Sequence, residues 1–224
     1  MLIDFHTHCF PDKIAEKAIA KLSAVSGGLE PYTNGTLQGL KDSMTRGGVD
    51  VSVVLNIATN AAQQHNVNDF AAALNGDGIV SFGSVFPTSP DVFDELERIK
   101  ELGLKGVKLH PDYQGVFIDD ERYLRILQGA VDRDLYVTIN AGIDIGLPDP
   151  VHASPDRVRA MLDIVKQPNG PHILLAHTGG YGCWDDVERL LVGQDVYFER
   201  LPLTADERDA VAYKNACRIL GLSY

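Results

Sequence analysis

The chain has 224 residues, of which 45% are hydrophobic, and its formal net charge is −11. This length and composition suit one α/β domain with a substantial core, and the acidic balance argues against nucleic acid or an anionic membrane as a partner, since both require clustered Lys and Arg. Three widely spaced cysteines without a CxxC pair, no signal-peptide pattern and no apolar run of about 18 residues predict a soluble, cytoplasmic protein.

The first ten residues (MLIDFHTHCF) predict a strand that ends in two histidines. Successive strand side chains point to opposite faces, so His6 and His8 share one face, and the same alternation places Asp4 below them. Two imidazoles on one face at the carboxyl end of a strand make half of a metal site. An edge strand with solvated histidines is the alternative that this short motif leaves open.

Short apolar strands and amphipathic helices alternate through the rest of the chain. The predicted strands after the first are residues 49–55, 79–85, 104–110, 135–140, 172–177 and a seventh that begins at 196. The predicted helices are residues 14–25, 36–46, 61–74, 91–102, 119–133, 154–165 and 184–191. This alternation indicates parallel strands covered on both sides, and seven units favour an α/β fold of the TIM-like (β/α) barrel type in a single domain, residues 1–224. A dinucleotide-binding sheet is disfavoured because no Gly-x-Gly-x-x-Gly follows a strand.

The end of the chain is too short for a complete barrel. Each unit of a (β/α)₈ barrel takes roughly 30 residues, whereas residues 195–224 would have to hold strands seven and eight with both of their helices. Residues 204–220 already predict a terminal helix, which leaves no room for the eighth strand. We therefore expect either that the region of strands seven and eight is truncated or that a segment is missing after about residue 198.

Polar side chains lie where the predicted strands end, which is where barrel enzymes place their chemistry. Asp112 and Tyr113 follow strand four closely enough to contact a substrate, although a solvated turn is the alternative. Two structural alternatives also stay open: His110 as the cap of strand four, and His177 as a core residue after strand six. The residues at the strand ends themselves are His6, His8, Lys108, His110, Asn140 and His177.

Four motifs together resemble the amidohydrolase superfamily, and more narrowly its amidohydrolase 2 branch, which includes aminocarboxymuconate semialdehyde decarboxylase. In chain order they are residues 3–8 (IDFHTH), 106–111 (GVKLHP), 174–180 (LLAHTGG) and 215–222 (NACRILGL). The resemblance implies a distorted barrel with one divalent metal ion, often zinc, at its carboxyl-end mouth. It implies that the metal ligands are the two strand-one histidines, a strand-five histidine and a strand-eight aspartate.

By this resemblance His6 and His8 are metal ligands, and His177 is the general base or a further ligand. The chain departs from the family pattern at two positions. It carries Asn140 where the family more often has a histidine, and it lacks the strand-eight aspartate motif. An asparagine is better suited to hydrogen bonding than to metal binding, because hydrolytic metal ions prefer imidazole and carboxylate ligands.

The expected function is that of a metal-dependent hydrolase, acting through metal-activated water on an amide, ester or lactone bond of a small, carboxylate-bearing substrate. His177 is then the catalytic residue, and the resemblance makes a homodimer plausible. Two alternatives stay open: a non-oxidative decarboxylase of the same family, and a degenerate, non-catalytic barrel that binds a small molecule. The expected substrate-binding residues are Lys108, His110, Asn140, Asp112 and Tyr113.

Overall fold

The computed structural model describes residues 1–198 and 213–223. Neighbouring strands of the described residues are parallel and follow chain order, with the first three in one sheet and the next four in another. A parallel bridge between Gly83 and Val107 joins the two sheets. The strands are β1 (Ile3–Thr7), β2 (Val51–Leu55), β3 (Ile79–Phe82), β4 (Gly106–Leu109), β5 (Tyr136–Ile139), β6 (Ile173–Leu175) and β7 (Tyr197–Phe198).

Helices lie between the strands as the sequence predicts, which confirms the α/β class. The predicted terminal helix is described only from Tyr213, and its predicted beginning lies outside the described residues. No helix in the described parts of the chain is long and apolar enough to cross a membrane. The helices are α1 (Asp12–Val25), α2 (Leu37–Gly47), α3 (Gln64–Leu74), α4 (Val92–Glu101), α5 (Pro111–Gln114), α6 (Glu121–Val131), α7 (Pro155–Ile164), α8 (Trp184–Leu190) and α9 (Asn215–Leu220).

Alternate residues of β4, β5 and β6 belong to the outer hydrophobic core. Val107, Val137 and Ile173 are fully buried and cluster with apolar residues of α4 and α6. Full burial of such a side chain contributes roughly 1.5–3 kcal/mol to stability. Side chains alternate along a strand, so the residues between these outward ones point to the inner face. Lys108 and Thr138, which are partners in the β4–β5 register, are two of them.

A second hydrophobic cluster lies on the inner face and includes the last described helix. It joins Ile3, Val53 and Phe82 from the first three strands with Cys217 of α9. The Sγ of Cys217 also lies 3.5 Å from the Sδ of Met1. Helix α9 therefore packs against the face of the strands opposite to the one that α4 and α6 cover.

Strand β1 contains one residue more than the stretch of β2 with which it pairs. The register joins Asp4 to Ser52 but Thr7 to Val54, so three steps along β1 match two along β2. A bulge of one residue exchanges the faces of all side chains beyond it. The prediction that Asp4 lies below the two histidines is therefore wrong: Asp4 takes the other face and is exposed. The histidines instead share the inner face with Ile3.

Helix α5 was not among the predicted elements. Its four residues are too few to show a helical hydrophobic period. It begins at Pro111, whose fixed φ suits the first turn, and its cap is His110, whose Nδ1 accepts a hydrogen bond from the Tyr113 N–H at 3.4 Å. This turn changes the direction of the chain immediately after β4.

The N-cap of α6 provides a stability prediction. The Asp120 carboxylate accepts hydrogen bonds from the backbone N–H and the Nε of Arg122, at 2.9 and 2.7 Å, and these bonds lower its pKa from 3.8 to about 2. We expect Asp120→Ala to reduce the free energy of unfolding at pH 7 by about 1 kcal/mol. Because the folded-state pKa is depressed, this contribution is present above pH 3.8 and is lost as the pH falls toward 2.

Urea unfolding of the wild type and the variant at pH 7 and pH 2.5 measures this difference. Glu188→Ala is a suitable control, since it removes an exposed carboxylate from the middle of α8. An Asp120→Ala deficit that is equally large at both pH values would contradict the assignment.

Candidate active site

The carboxyl ends of β1, β4, β5 and β6 bring five of the predicted site residues together. The rings of His6 and His177 are 4.9 Å apart between centroids. Asn140 Oδ1 accepts hydrogen bonds from His177 Nε2 at 3.0 Å and from Lys108 Nζ at 3.5 Å. His8 lies beside His6, with 5.1 Å between ring centroids. The cluster is therefore continuous from β1 across to β6.

Hydrogen bonding fixes the tautomer of His8. A carbonyl oxygen only accepts, so the 2.8 Å contact from His8 Nδ1 to the Leu55 carbonyl makes Nδ1 the protonated nitrogen. Metal-binding histidines typically donate their second ring N–H in this way, to a carboxylate or a backbone carbonyl. The arrangement leaves Nε2 of His8 as the nitrogen that could bind a metal ion.

Both strand-one histidines favour their neutral form. Burial lowers the pKa of His6 well below its usual value, and the charges of Lys108 and His177 add to the effect. The pKa of His8 is also lowered well below its usual value. The main cause is the protein atoms packed around the ring, and the charge of His6 adds to it. Part of the residue's surface nevertheless stays exposed. A neutral imidazole is the form that binds metal ions.

The family resemblance implies a divalent metal ion, and the described residues fit it only in part. Among residues 1–198 and 213–223, no group of three or more His, Cys, Asp or Glu side chains is placed to hold a metal ion. A tight site usually needs three protein ligands. The ammonium group of Lys108, which lowers the pKa values of both histidines, also opposes a nearby cation. His6 and His8 therefore supply a pair of suitable donors and not a complete set.

Lys108 is the most deeply placed charge in this cluster. It is fully buried, on the inner face of β4. Its partner in register, Thr138, is also buried, and its hydroxyl oxygen has no hydrogen-bond partner among the described residues. A buried cation beside a polar hydroxyl provides two groups that a ligand oxygen could contact.

His110 forms a separate arrangement next to the cluster. Its Nε2 lies 3.3 Å from Asp144 Oδ2, and its ring lies 4.2 Å from that of Tyr113. Burial lowers the pKa of His110, and this effect outweighs the opposing one of Asp144. The hydrogen bond from His110 in turn lowers the pKa of the Asp144 carboxyl. The pair is thus a neutral imidazole that donates to a carboxylate.

Asp144 was not among the predicted site residues. The only signal for it in the sequence is its position in the loop that follows strand five, one of the loops in which barrel enzymes place site residues. Asp112, which was predicted to bind substrate, does not line the cavity of about 400 Å³ that opens beside this cluster. Its Oδ1 accepts hydrogen bonds from the backbone N–H and from ring Nδ1 of His152, both at 3.0 Å, and its side chain is almost fully buried.

A cavity of about 400 Å³ opens beside the cluster. Asn140 and His177 line it at its inner end, and Tyr113 and Asp144 also belong to its wall. The rest of the described wall comes from the last two turns of α1 with Ser26, residues 29–31, the loop at residues 143–146 and Tyr181. The apolar residues of α1 were not among the predicted site residues.

The backbone around His177 is held in an uncommon conformation. His177 and Thr178 both have a φ of 57°, a region that side chains other than glycine adopt rarely. The loops after β5 and β6 also approach closely, since a Cβ on Gly142 would lie 2.1 Å from the Tyr181 nitrogen. Such conformations cluster at functional sites and persist only where the surroundings hold them.

Comparison with protein families gives one match. A family model described as amidohydrolase, of the amidohydrolase 2 group, matches residues 3–168, well over half of the chain. No curated protein matches the chain significantly in sequence.

Several solved structures share the fold. A 5-carboxyvanillate decarboxylase from Sphingomonas paucimobilis aligns with a TM-score of 0.66 and 14% identity, over 99% of this chain and 99% of its own. A 5-carboxyvanillate decarboxylase from Novosphingobium aromaticivorans, complexed with manganese and 4-hydroxy-3-methoxy-5-nitrobenzoic acid, aligns with a TM-score of 0.58 and 16% identity. The alignment covers 98% of this chain and 82% of its own. A probable 2-pyrone-4,6-dicarboxylic acid hydrolase from Acinetobacter baumannii, with citric acid bound, aligns with a TM-score of 0.54 and 16% identity. The alignment covers 98% of this chain and 78% of its own. At these identities the similarity concerns the fold, and it confirms the predicted TIM-like barrel class.

Proposed function

The chain belongs to the amidohydrolase 2 family, and on that premise we propose that it is a non-oxidative decarboxylase of a small aromatic carboxylate. The observation that carries this proposal is the fully buried Lys108, which contacts Asn140, which in turn contacts His177 at the inner end of the cavity. Among the structural relatives, the two that act on 5-carboxyvanillate are named as decarboxylases. This preference reverses the order of the two enzymatic activities expected from the sequence.

In the proposed reaction the chain supplies a proton and a fixed positive charge. His177, held by Asn140, would give a proton to the ring carbon that bears the carboxylate. Lys108 would stabilise the negative charge on a substrate oxygen as it develops, because a buried cation interacts strongly in a low-dielectric site. The carbon–carbon bond then breaks, and its electron pair restores the aromatic ring as carbon dioxide leaves.

His6 and His8 are proposed as two ligands of a divalent ion. Their neutral state and the Nδ1–H of His8 support this assignment, as does the manganese bound by one structural relative. When bound, such an ion would polarise a substrate oxygen. His110 and Tyr113 are proposed to contact the substrate beside it.

Hydrolysis is the second candidate. It is favoured by the hydrogen bond between His177 and Asn140, which orients the imidazole toward a cavity that can admit water. One structural relative is named as a probable hydrolase of 2-pyrone-4,6-dicarboxylic acid. His177 would then act as general base toward water.

The two activities can be separated by their products. The protein is incubated with Mn²⁺ and 5-carboxyvanillate or dihydroxybenzoates for carbon dioxide release, and with 2-pyrone-4,6-dicarboxylate for ring opening. We expect carbon dioxide release that falls at least ~100-fold in His177→Gln, with His65→Gln as a control because His65 is exposed and lies outside the cavity. Ring opening without carbon dioxide release would favour the hydrolase. Binding without either reaction would favour a non-catalytic barrel.

The strand-five position allows a gain-of-function prediction. Replacing Asn140 by His adds a third imidazole to the pair formed by His6 and His8, which approaches the usual three-ligand set. We expect Asn140→His to bind Mn²⁺ at least ~10-fold more tightly than the wild type, measured by elemental analysis after dialysis against graded Mn²⁺ concentrations. Asn169→His adds an exposed imidazole in the turn before β6, at the opposite end of the strands, and should keep the wild-type affinity. Equal metal contents in the two variants would argue against a metal site at the mouth.

We also propose that residues 1–224 form one barrel domain from which a segment after about residue 198 is missing. A strand, a helix and a further strand of such a barrel would need about 45 residues, or about 5 kDa. The intact mass of the protein from its natural source tests this proposal. A mass of 24.4 kDa, the mass of the 224-residue chain, would mean that the barrel itself is truncated, whereas an excess of about 5 kDa would mean that the natural chain contains the segment.

A further inference from the structure

Away from its inner end the wall of the cavity is mainly apolar, and Ser23, Ser26 and Glu30 are the polar exceptions on the α1 side. The hydrophobic side chains come from two separate parts of the chain, the second half of α1 with the residues after it and the loop after β5. They include Ile19, Leu22, Val25, Leu29, Ile143 and Ile145. Asn140 and His177 are confined to the opposite, inner end.

The two apolar parts of the wall lie against each other at the mouth. A Cβ added to Gly146 would lie 3.1 Å from Cγ2 of Val25, which shows how closely the end of α1 approaches the loop after β5. Leu29 and Ile145 leave 58% and 49% of their surfaces exposed, and Val25 leaves 45% exposed. Apolar surface grouped around a concave site is typical of a ligand-binding surface.

Charge also restricts what this outer part can hold. Among the described residues that line the cavity there is no Lys or Arg, and the acidic side chains are Glu30 and Asp144. Hydrogen bonding keeps the pKa of Asp144 low, so this carboxyl is an anion at neutral pH. A second acidic group on the ligand would therefore be repelled from the outer part, whereas an apolar group would be accepted.

We propose that the outer part of the cavity is a subsite for an extended apolar group of the substrate, such as a second aromatic ring. The substrate class is then a monocarboxylate whose acid group points inward and whose apolar body lies against α1. A cavity of about 400 Å³ is within the range, about 300–1,000 Å³, of sites for ligands larger than one ring. The inward direction of the carboxylate rests on the proposed function, whereas the apolar subsite does not.

The test uses calorimetric titration of the full chain with three probes: benzoate, biphenyl-4-carboxylate and biphenyl-4-methanol. We expect the wild type to bind biphenyl-4-carboxylate at least ~10-fold more tightly than benzoate, because the second ring buries apolar surface. The double variant Leu22→Gln/Val25→Gln should reduce this ratio to about 2 while leaving benzoate affinity unchanged. Ile14→Gln, which changes an exposed residue of the same helix outside the cavity, should keep the wild-type ratio.

The measured affinities test the apolar subsite and the inward carboxylate separately. Equal affinity of the wild type for benzoate and biphenyl-4-carboxylate, or no binding of either, would overturn the subsite. If biphenyl-4-methanol binds as tightly as the carboxylate, the subsite stands and the inward carboxylate of the proposed function fails. Circular dichroism checks the fold of each variant, and Ile145→Gln, on the opposite side of the mouth, replaces the double variant if that one does not fold.

Discussion

Replacing Lys108 by Met is expected to weaken the binding of aromatic carboxylates by about 100-fold or more while leaving the protein folded. Loss of one partner from a buried charge pair typically costs 2–5 kcal/mol of binding free energy, roughly 30- to 5,000-fold in affinity. Met has a similar volume and carries no charge that must be desolvated, so the free energy of unfolding should be unchanged or higher. Calorimetric titration and urea unfolding measure the two quantities.

The matched control is Lys105→Met, since Lys105 is exposed and lies three residues before Lys108 along the chain. Wild-type affinity in the control and loss of affinity in Lys108→Met would assign the effect to the buried ammonium group. A Lys108→Met protein that binds these carboxylates as well as the wild type would remove the observation on which the proposed function depends.

Loss of the strand-one histidines is expected to remove the metal ion. With two ligands gone, the Mn²⁺ retained by His6→Ala/His8→Ala after dialysis should fall at least ~100-fold below that of the wild type, and carbon dioxide release should fall with it. His65→Ala removes an exposed imidazole elsewhere and should change neither quantity. Elemental analysis and the carbon dioxide assay are the measurements.

The metal content of the wild-type protein determines whether this experiment can be interpreted. Purified protein that holds well below one equivalent of divalent ion, and gains none on dialysis against Mn²⁺, would be incompatible with the metalloenzyme proposal. Binding of aromatic carboxylates would then indicate a ligand-binding barrel that uses Lys108 without a metal ion.

The sequence was most informative where a local pattern determines the structure. Alternating apolar strands and amphipathic helices predicted the parallel array, and polar residues at strand ends predicted that His6, Lys108, Asn140 and His177 would meet. This succeeds because parallel strands place their carboxyl ends at one edge. The same strict alternation failed for Asp4, since nothing in the sequence marks the extra residue in β1.

The parts that could not be predicted depend on contacts between distant segments. Asp144 reaches His110 only because the loop after β5 folds back over α5. The apolar end of α1 lines the cavity because that same loop packs against Val25. Loop shape is set by such long-range contacts, which leave no periodic signal in a single sequence.

The packing of α9 against the inner face also determines when the protein can finish folding during its synthesis. Residue 1 contacts residue 217, and Ile3 shares its cluster with α9, so the inner core needs both extremes of the described chain. At a translation rate of about 5–20 residues per second, the ribosome spends ten seconds or more between making β1 and making its last partner. During that interval the apolar side chains of β1 to β3 lie uncovered, and this nascent face is where a chaperone would bind first.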